Sequence, residues 1–74
     1  MDWHSTRARE ELLIALDGRI RVEVLTSRRA SAPRTRQIPL NAGECLYLPR
    51  RTQHRVLNMS RTPARYLYVT APAA

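Results

Sequence analysis

The fold is decided by the stretch 43–58, which reads GECLYLPRRTQHRVLN. Gly43 permits a tight turn into a short apolar run, and Pro49 ends that run because proline donates no hydrogen bond to a strand ladder. After a second turn the residues alternate, so that His54 and Arg55 point to opposite faces. The stretch is therefore predicted to form two short strands joined by a turn.

The rest of the chain shows the same pattern of short strands and turns. Residues 19–24 alternate strictly between polar and apolar, which predicts a strand with one face on a core. Residues 11–16 form an apolar run that stops at Asp17-Gly18, a dipeptide typical of a hairpin turn. Residues 26–36 are polar and are predicted to form a loop, and residues 64–70 a last strand.

No segment keeps the apolar spacing of a helix. About six short strands instead predict an all-β domain over residues 1–74, in the form of a small antiparallel β-barrel or jelly roll. The side chains expected to be mostly buried are Ile20, Val22, Val24, Leu46 and Leu48.

The size of the chain limits how it can be stabilised. A chain of 74 residues buries about 60% of its unfolded surface, so its core is marginal. Cys45 is the sole cysteine, which excludes an internal disulfide and, within its apolar run, predicts a buried thiol in a reducing compartment. We therefore expect a bound metal or a partner subunit to stabilise the fold. No targeting segment or membrane span is visible, so a cytoplasmic location is expected.

The charge of the chain is strongly positive, at +7, and all thirteen basic residues are arginine. This balance favours anionic partners, although the arginines can equally occupy ordinary solvent-exposed positions. Nucleic acid is disfavoured as a partner, because no aromatic stacking platform is interleaved with the arginines.

At this point the spacing of Gly43, Pro49, His54 and Asn58 becomes recognisable. It resembles the second conserved motif of the cupin superfamily, G-(x)5-P-x-G-(x)2-H-(x)3-N, at four of five fixed positions. The fifth position carries Arg51 in place of glycine. The turn must therefore avoid a positive φ or accept strain.

The first cupin motif is similar to the N-terminal segment in part. Glu11 and Gly18 match its end, His4 matches one histidine position, and Thr6 occupies the other. The leading glycine would lie before Met1, so the domain is expected to be a minimal or truncated cupin. Its missing N-terminal strands would leave an open sheet edge, which predicts a homodimer that covers the edge.

The resemblance implies a site as well as a fold. In cupins the corresponding residues hold one divalent metal, so the implied ligands are His4, Glu11 and His54, and the metal could be Fe, Mn, Ni or Zn. Thr6 is a poor ligand whose hydroxyl could orient a bound water. Together with the positive charge of the chain, this fold leads us to expect a small anionic molecule in the barrel, with Arg51, Arg55 and Tyr47 as its contacts.

The resemblance leaves the activity open, because cupins include enzymes as well as pure binding domains. An enzyme would be metal-dependent, of the dioxygenase or isomerase type. The first alternative is a metal-free ligand-sensing or structural domain, and the second is a basic protein associated with nucleic acid. The metal content of the purified protein separates the enzyme reading from the first alternative.

Overall fold

The computed structural model describes residues 2–27 and 34–73, and this part of the chain is all-β. Its seven strands are β1 (His4–Ser5), β2 (Arg9–Asp17), β3 (Arg19–Ser27), β4 (Arg34–Asn41), β5 (Cys45–Leu48), β6 (Gln53–Asn58) and β7 (Arg65–Pro72). The described residues contain no helix that is long and apolar enough to cross a membrane.

Two antiparallel sheets pack face to face. One has the strand order β1-β6-β3-β4, and the other has the order β5-β2-β7. The strands form because alternating side chains place one face of each strand on the space between the sheets. In the first sheet, for example, Val22 lies opposite Ile38 on one side and Val56 on the other. The predicted small antiparallel all-β architecture is confirmed.

The hairpin predicted at Asp17-Gly18 is wrong. β2 pairs with β5 and β7, whereas β3 pairs with β4 and β6, so the dipeptide forms a corner that carries the chain from one sheet to the other. Gly18 has a φ of 76°, and a Cβ atom there would lie 2.8 Å from the Ser60 hydroxyl oxygen. Both the backbone conformation and the close approach require glycine.

Both ends of the polar segment 26–36 belong to strands, where a loop was predicted. β3 continues to Ser27 and β4 begins at Arg34, because the two strands stay paired up to Ser27 opposite Arg34. The central part of the predicted loop, residues 28–33, lies outside the described residues.

The core confirms most of the predicted burial. Ile20, Val22 and Leu48 are buried, while Val24 and Leu46 are partly buried against the same cluster. Among the residues that the structure describes, the buried apolar side chains are Leu13, Ala15, Ile20, Val22, Leu40, Leu48 and Val56. The buried thiol predicted for Cys45 is wrong: the side chain is exposed, because it lies on the outer face of β5 opposite Ile14.

Candidate metal centre

Each sheet contributes a buried polar side chain to the space between the sheets. Glu11 lies on the inner face of the central strand β2, and His54 lies on the inner face of β6. They are 8% and 1% exposed, respectively. The Oε2 atom of Glu11 lies 2.9 Å from the Nε2 atom of His54, so the two side chains bridge the gap between the sheets.

The third predicted ligand comes from the N-terminal strand. β1 pairs with β6 so that His4 lies opposite His54, and the two imidazole rings have centroids 4.2 Å apart. One ligand atom from each of His4, Glu11 and His54 lies within 4.8 Å of the others. The structure therefore brings together the three residues that the sequence singled out, two of them buried and His4 exposed.

The surroundings of His54 fix which of its nitrogens is free to bind. Its Nδ1 atom lies 3.2 Å from the Thr52 carbonyl oxygen. A carbonyl only accepts hydrogen bonds, so Nδ1 carries a hydrogen and donates it. In the neutral ring Nε2 then has a lone pair that faces the Glu11 carboxylate. Two acceptor atoms at 2.9 Å repel each other unless a proton or a metal ion binds between or beside them.

The Glu11 carboxylate also has an oxygen atom that could bind a cation. Its Oε2 atom is buried and has no hydrogen-bond partner among the described residues. The His54 ring is close to it, but the contact lacks the geometry of an N–H···O hydrogen bond. A buried carboxylate oxygen without a partner costs free energy. A positively charged group bound at this site would therefore stabilise the fold.

The donor set and its dimensions fit a divalent transition metal. Two imidazoles and one carboxylate form the facial arrangement that leaves coordination positions open. Two ligand atoms at right angles, each about 2.1 Å from an ion, are about 3 Å apart, which is close to the 2.9 Å between His54 and Glu11. The three ligand atoms are at present within 4.8 Å of one another, so the exposed His4 would have to approach the other two by up to about 2 Å to join them.

Thr6 occupies the position at which the first cupin motif has its second histidine. Its side chain connects the N-terminal segment to the loop between β5 and β6. Its hydroxyl donates to the Pro49 carbonyl at 2.8 Å and accepts from the Thr52 N–H at 3.0 Å. The side chain is 8% exposed. Its one hydroxyl hydrogen is therefore committed to the backbone, in place of the suggested role of orienting a bound water. Thr6 instead holds the N-terminal segment against the loop that precedes His54.

Trp3 anchors the same segment from the opposite face of the sheet. The Arg55 guanidinium carbon lies 5.1 Å from the Trp3 ring centroid, a distance typical of a cation–π contact. Arg55 also pairs with the buried carboxylate of Glu23 at 3.1 Å. Trp3 is therefore held against the sheet next to His4, which limits the fraying expected near a chain terminus.

A cavity of about 260 Å³ opens from the three ligands. Its remaining walls are the apolar side chains of Leu13 and Val56 and the rings of Tyr66 and Tyr68. Burial, followed by electrostatic interactions with Glu11 and Tyr68, raises the pKa of Tyr66. Tyr66 is therefore a phenol at neutral pH. The sequence placed both tyrosines on one strand face, but their role in the cavity depends on their pairing with β2, opposite Ala15 and Leu13.

The predicted contacts of the anionic ligand are absent from this cavity. Arg55 points to the outer face of its sheet, towards Glu23 and Trp3. Tyr47 lies on the outer face of β5, where its hydroxyl donates to Glu10 at 3.0 Å. Arg51 has a φ of 57°, so of the two alternatives left by the missing glycine the turn adopts the strained one, with a positive φ. Arg51 and Tyr47 line a different cavity, on the β4 and β5 side of the barrel.

Several strand arginines have intramolecular partners, as expected of arginines in ordinary solvent positions. Their side chains pair as Arg55 with Glu23, Arg65 with Asp17, Arg21 with Gln37 and Arg9 with Thr70. Asn58, predicted to have a structural role, stabilises its turn by accepting from the Ser60 N–H and donating to the Thr62 carbonyl.

Comparisons with known proteins agree with this architecture. A family model described as a cupin domain matches residues 1–70. None of the curated proteins gives a significant match. Among solved structures, one chain in the crystal structure of Drosophila melanogaster CENP-C bound to CAL1 superimposes with a TM-score of 0.84 at 14% sequence identity. The match covers 96% of this chain and 52% of that one, and it shows a shared fold.

Proposed function

This chain belongs to the cupin family, and we propose that it binds one divalent transition metal through His4, Glu11 and His54. The proposal is carried by the buried Oε2 atom of Glu11, which has no hydrogen-bond partner among the described residues and lies 2.9 Å from the Nε2 atom of His54. A metal ion beside them would satisfy both atoms and recruit His4, which is exposed and close enough to join. Fe, Mn, Ni and Zn all accept two imidazoles and a carboxylate.

The second part of the proposal is a small anionic ligand in the cavity of about 260 Å³. Three protein ligands leave open positions on the metal. No arginine of the described residues lines this cavity, so the metal would be the cationic partner of the ligand. The metal would supply Lewis acidity, and the phenol of Tyr66 would offer a hydroxyl beside it. This arrangement suits a metal-dependent enzyme of the dioxygenase or isomerase type, and equally a sensing domain.

Metal content and metal-dependent stability test the proposal. We expect the full chain to retain close to one equivalent of a divalent transition metal in elemental analysis, after incubation with Fe, Mn, Ni or Zn and desalting. A metal at about 100 times its dissociation constant stabilises a fold by about 2.7 kcal/mol. For a domain of this size, that corresponds to an increase of roughly 10–20 °C in Tm.

The chain provides a matched pair of variants for this experiment. Glu11→Gln removes the inner carboxylate, whereas Glu10→Gln removes the neighbouring one, which points to the outer face and bonds Tyr47. Because each variant is compared with and without metal, a general loss of stability does not affect the result. We expect Glu11→Gln and His54→Ala to abolish most of the metal-dependent shift, and Glu10→Gln to keep it. Equal shifts in both glutamate variants, or no shift with any ion, would contradict the proposal.

The metal-free alternative has its own structural support. If Nε2 of His54 carries a proton, the contact of 2.9 Å with Glu11 becomes a buried ion pair that needs no metal. A protein that retains no metal, and whose stability nonetheless falls in Glu11→Gln, would favour this ligand-sensing or scaffold domain.

We also propose that two copies of the chain form a homodimer. The outer face of the β5-β2-β7 sheet carries a continuous group of apolar side chains at least partly open to solvent, which we call the outer apolar face: Leu12, Ile14, Leu16, Tyr47, Leu67 and Val69. Contiguous exposed apolar surface of this kind marks an interaction site. The charges beside it are compensated, since Arg65 pairs with Asp17 and Glu10 accepts from Tyr47. Two copies with a charge of +7 could therefore meet here without opposing arginines.

Light scattering tests this assembly. We expect the wild-type chain to have about twice its monomer mass of 8.5 kDa at micromolar concentration. Leu67→Arg, which puts a charge on the outer apolar face, should give monomers. Met59→Arg is the matched control, because Met59 is also exposed but lies outside that face. A monomeric wild-type chain, or equal masses for the two variants, would contradict the dimer.

A further inference from the structure

A second cavity, of about 310 Å³, lies on the side of the barrel where the edge strand β4 faces the edge strand β5. It has no lining residue in common with the cavity of the candidate metal centre. Its floor is apolar and consists of Val24, Ile38, Leu46 and Leu48. We call it the Arg36 cavity, after the residue at its rim that the argument depends on.

Arg36 lies on the inward-facing side of β4, where the alternation of the strand otherwise places apolar residues. It pairs with Val24, in the same inward-facing series as Ile38 opposite Val22 and Leu40 opposite Ile20. Arg36 is exposed, and its side chain makes no hydrogen bond or ion pair with the described residues. An arginine on the core-facing side of a strand, beside an apolar floor, places a positive charge at the mouth of the cavity.

The rest of the rim is also suited to an anion. Arg51 lines the cavity, and its backbone is fixed because its N–H donates to the Arg7 carbonyl at 2.7 Å. No acidic side chain of the described residues lines the cavity, so nothing at the rim repels an anion. Guanidinium groups bind carboxylates through paired, charge-assisted hydrogen bonds.

From these features we infer that the Arg36 cavity binds a small organic carboxylate with an apolar tail. The carboxylate contacts the Arg36 guanidinium, with Arg51 as a second cation, and the tail lies on the floor formed by Ile38, Leu46 and Leu48. The site is independent of the metal and of the proposed metal centre. Arg51 and Tyr47, which the sequence predicts as contacts of an anionic ligand, both line this cavity.

Titration with saturated carboxylates of increasing length tests the inference. The full chain is first treated with a chelator, so that coordination to a metal makes no contribution. Acetate, butyrate, hexanoate and octanoate are then titrated and followed by calorimetry, with octanol as the uncharged probe. We expect affinity to rise at least threefold with each two added carbons, up to the length that the cavity holds. Octanol should bind at least tenfold more weakly than octanoate.

Two charge-matched variants identify the site. Arg36→Gln should weaken octanoate binding at least fivefold. Arg61→Gln removes the same charge from the turn before β7, outside the cavity, and should leave binding within twofold of the wild type. Equal losses in the two variants would mean that octanoate responds only to the net charge, and would overturn the inference. So would an affinity independent of tail length, or no binding of octanoate at all.

Discussion

The strained turn at Arg51 offers a direct test of how the sequence departs from the family pattern. Its φ of 57° lies in the left-handed region, where a residue with a Cβ atom pays about 1–2 kcal/mol. Glycine avoids that cost but loses about 0.4–1 kcal/mol through the greater entropy of its unfolded chain. Glycine at position 51 should therefore be more stable than alanine by about 0.5–1 kcal/mol.

The comparison of glycine with alanine isolates the backbone contribution. Arg51→Gly and Arg51→Ala both remove the arginine side chain, so the contacts it makes cancel in the difference. Arg50 is the control, because it is exposed in the same turn and its φ is not positive. There the order should be reversed, with alanine more stable than glycine by about 0.4–1 kcal/mol.

Thermal unfolding followed by circular dichroism measures these differences. In a chain of 74 residues the unfolding entropy is about 0.16 kcal/mol/K, so 1 kcal/mol changes Tm by about 6 °C. We expect Arg51→Gly to unfold about 3–6 °C above Arg51→Ala. If alanine is the more stable residue at both positions, the left-handed strain assigned to Arg51 does not exist, and the reasoning is refuted.

Three further predictions concern other parts of the chain. Gly18→Ala should destabilise the fold by at least about 2 kcal/mol, because a Cβ atom there meets both an unfavourable φ and a close neighbour; denaturant unfolding measures the loss, and a change below about 0.5 kcal/mol would contradict it. Trp3→Ala should weaken metal binding several-fold, since it releases the segment that carries His4, and unchanged affinity in a metal titration would argue against this anchoring. Glu10 raises the pKa of Tyr47 from its ordinary value of 10.0, through the hydrogen bond. Glu10→Gln should lower that pKa, as seen by phenolate absorbance. Because the folded-state pKa is raised, this contribution to stability is complete below pH 10 and is lost as the pH rises through the folded-state pKa.

The segment around His54 was predictable because its signals are local. A turn glycine, a strand-ending proline and a period of two together specify two short strands and the inward direction of His54. The same period shows that Arg55, the next residue, points outward. The prediction that Arg55 contacts a ligand in the barrel conflicts with that alternation, which the structure follows.

The features that the sequence did not predict depend on which strands pair. The dipeptide Asp17-Gly18 correctly predicts a turn. A turn alone, however, does not specify whether the next strand joins the same sheet. Likewise, the apolar run around Cys45 looks buried, although half of it lies on the outer face of an edge strand. The cavity role of Tyr66 and Tyr68 requires their register against β2, which is set by long-range pairing.

The corner at Gly18 has a consequence for folding kinetics. Because it sends β2 and β3 to different sheets, Glu11 and His54 approach each other only when the two sheets close together. β3 and β4 are consecutive strands that pair, whereas the partners of β1 and β2 are distant in sequence, a topology associated with slow folding. We therefore expect a site assembled from both sheets to form after the transition state of folding. Ions that bind it would leave the folding rate unchanged and slow unfolding, so their entire stabilising effect would be measured as a longer lifetime of the native state.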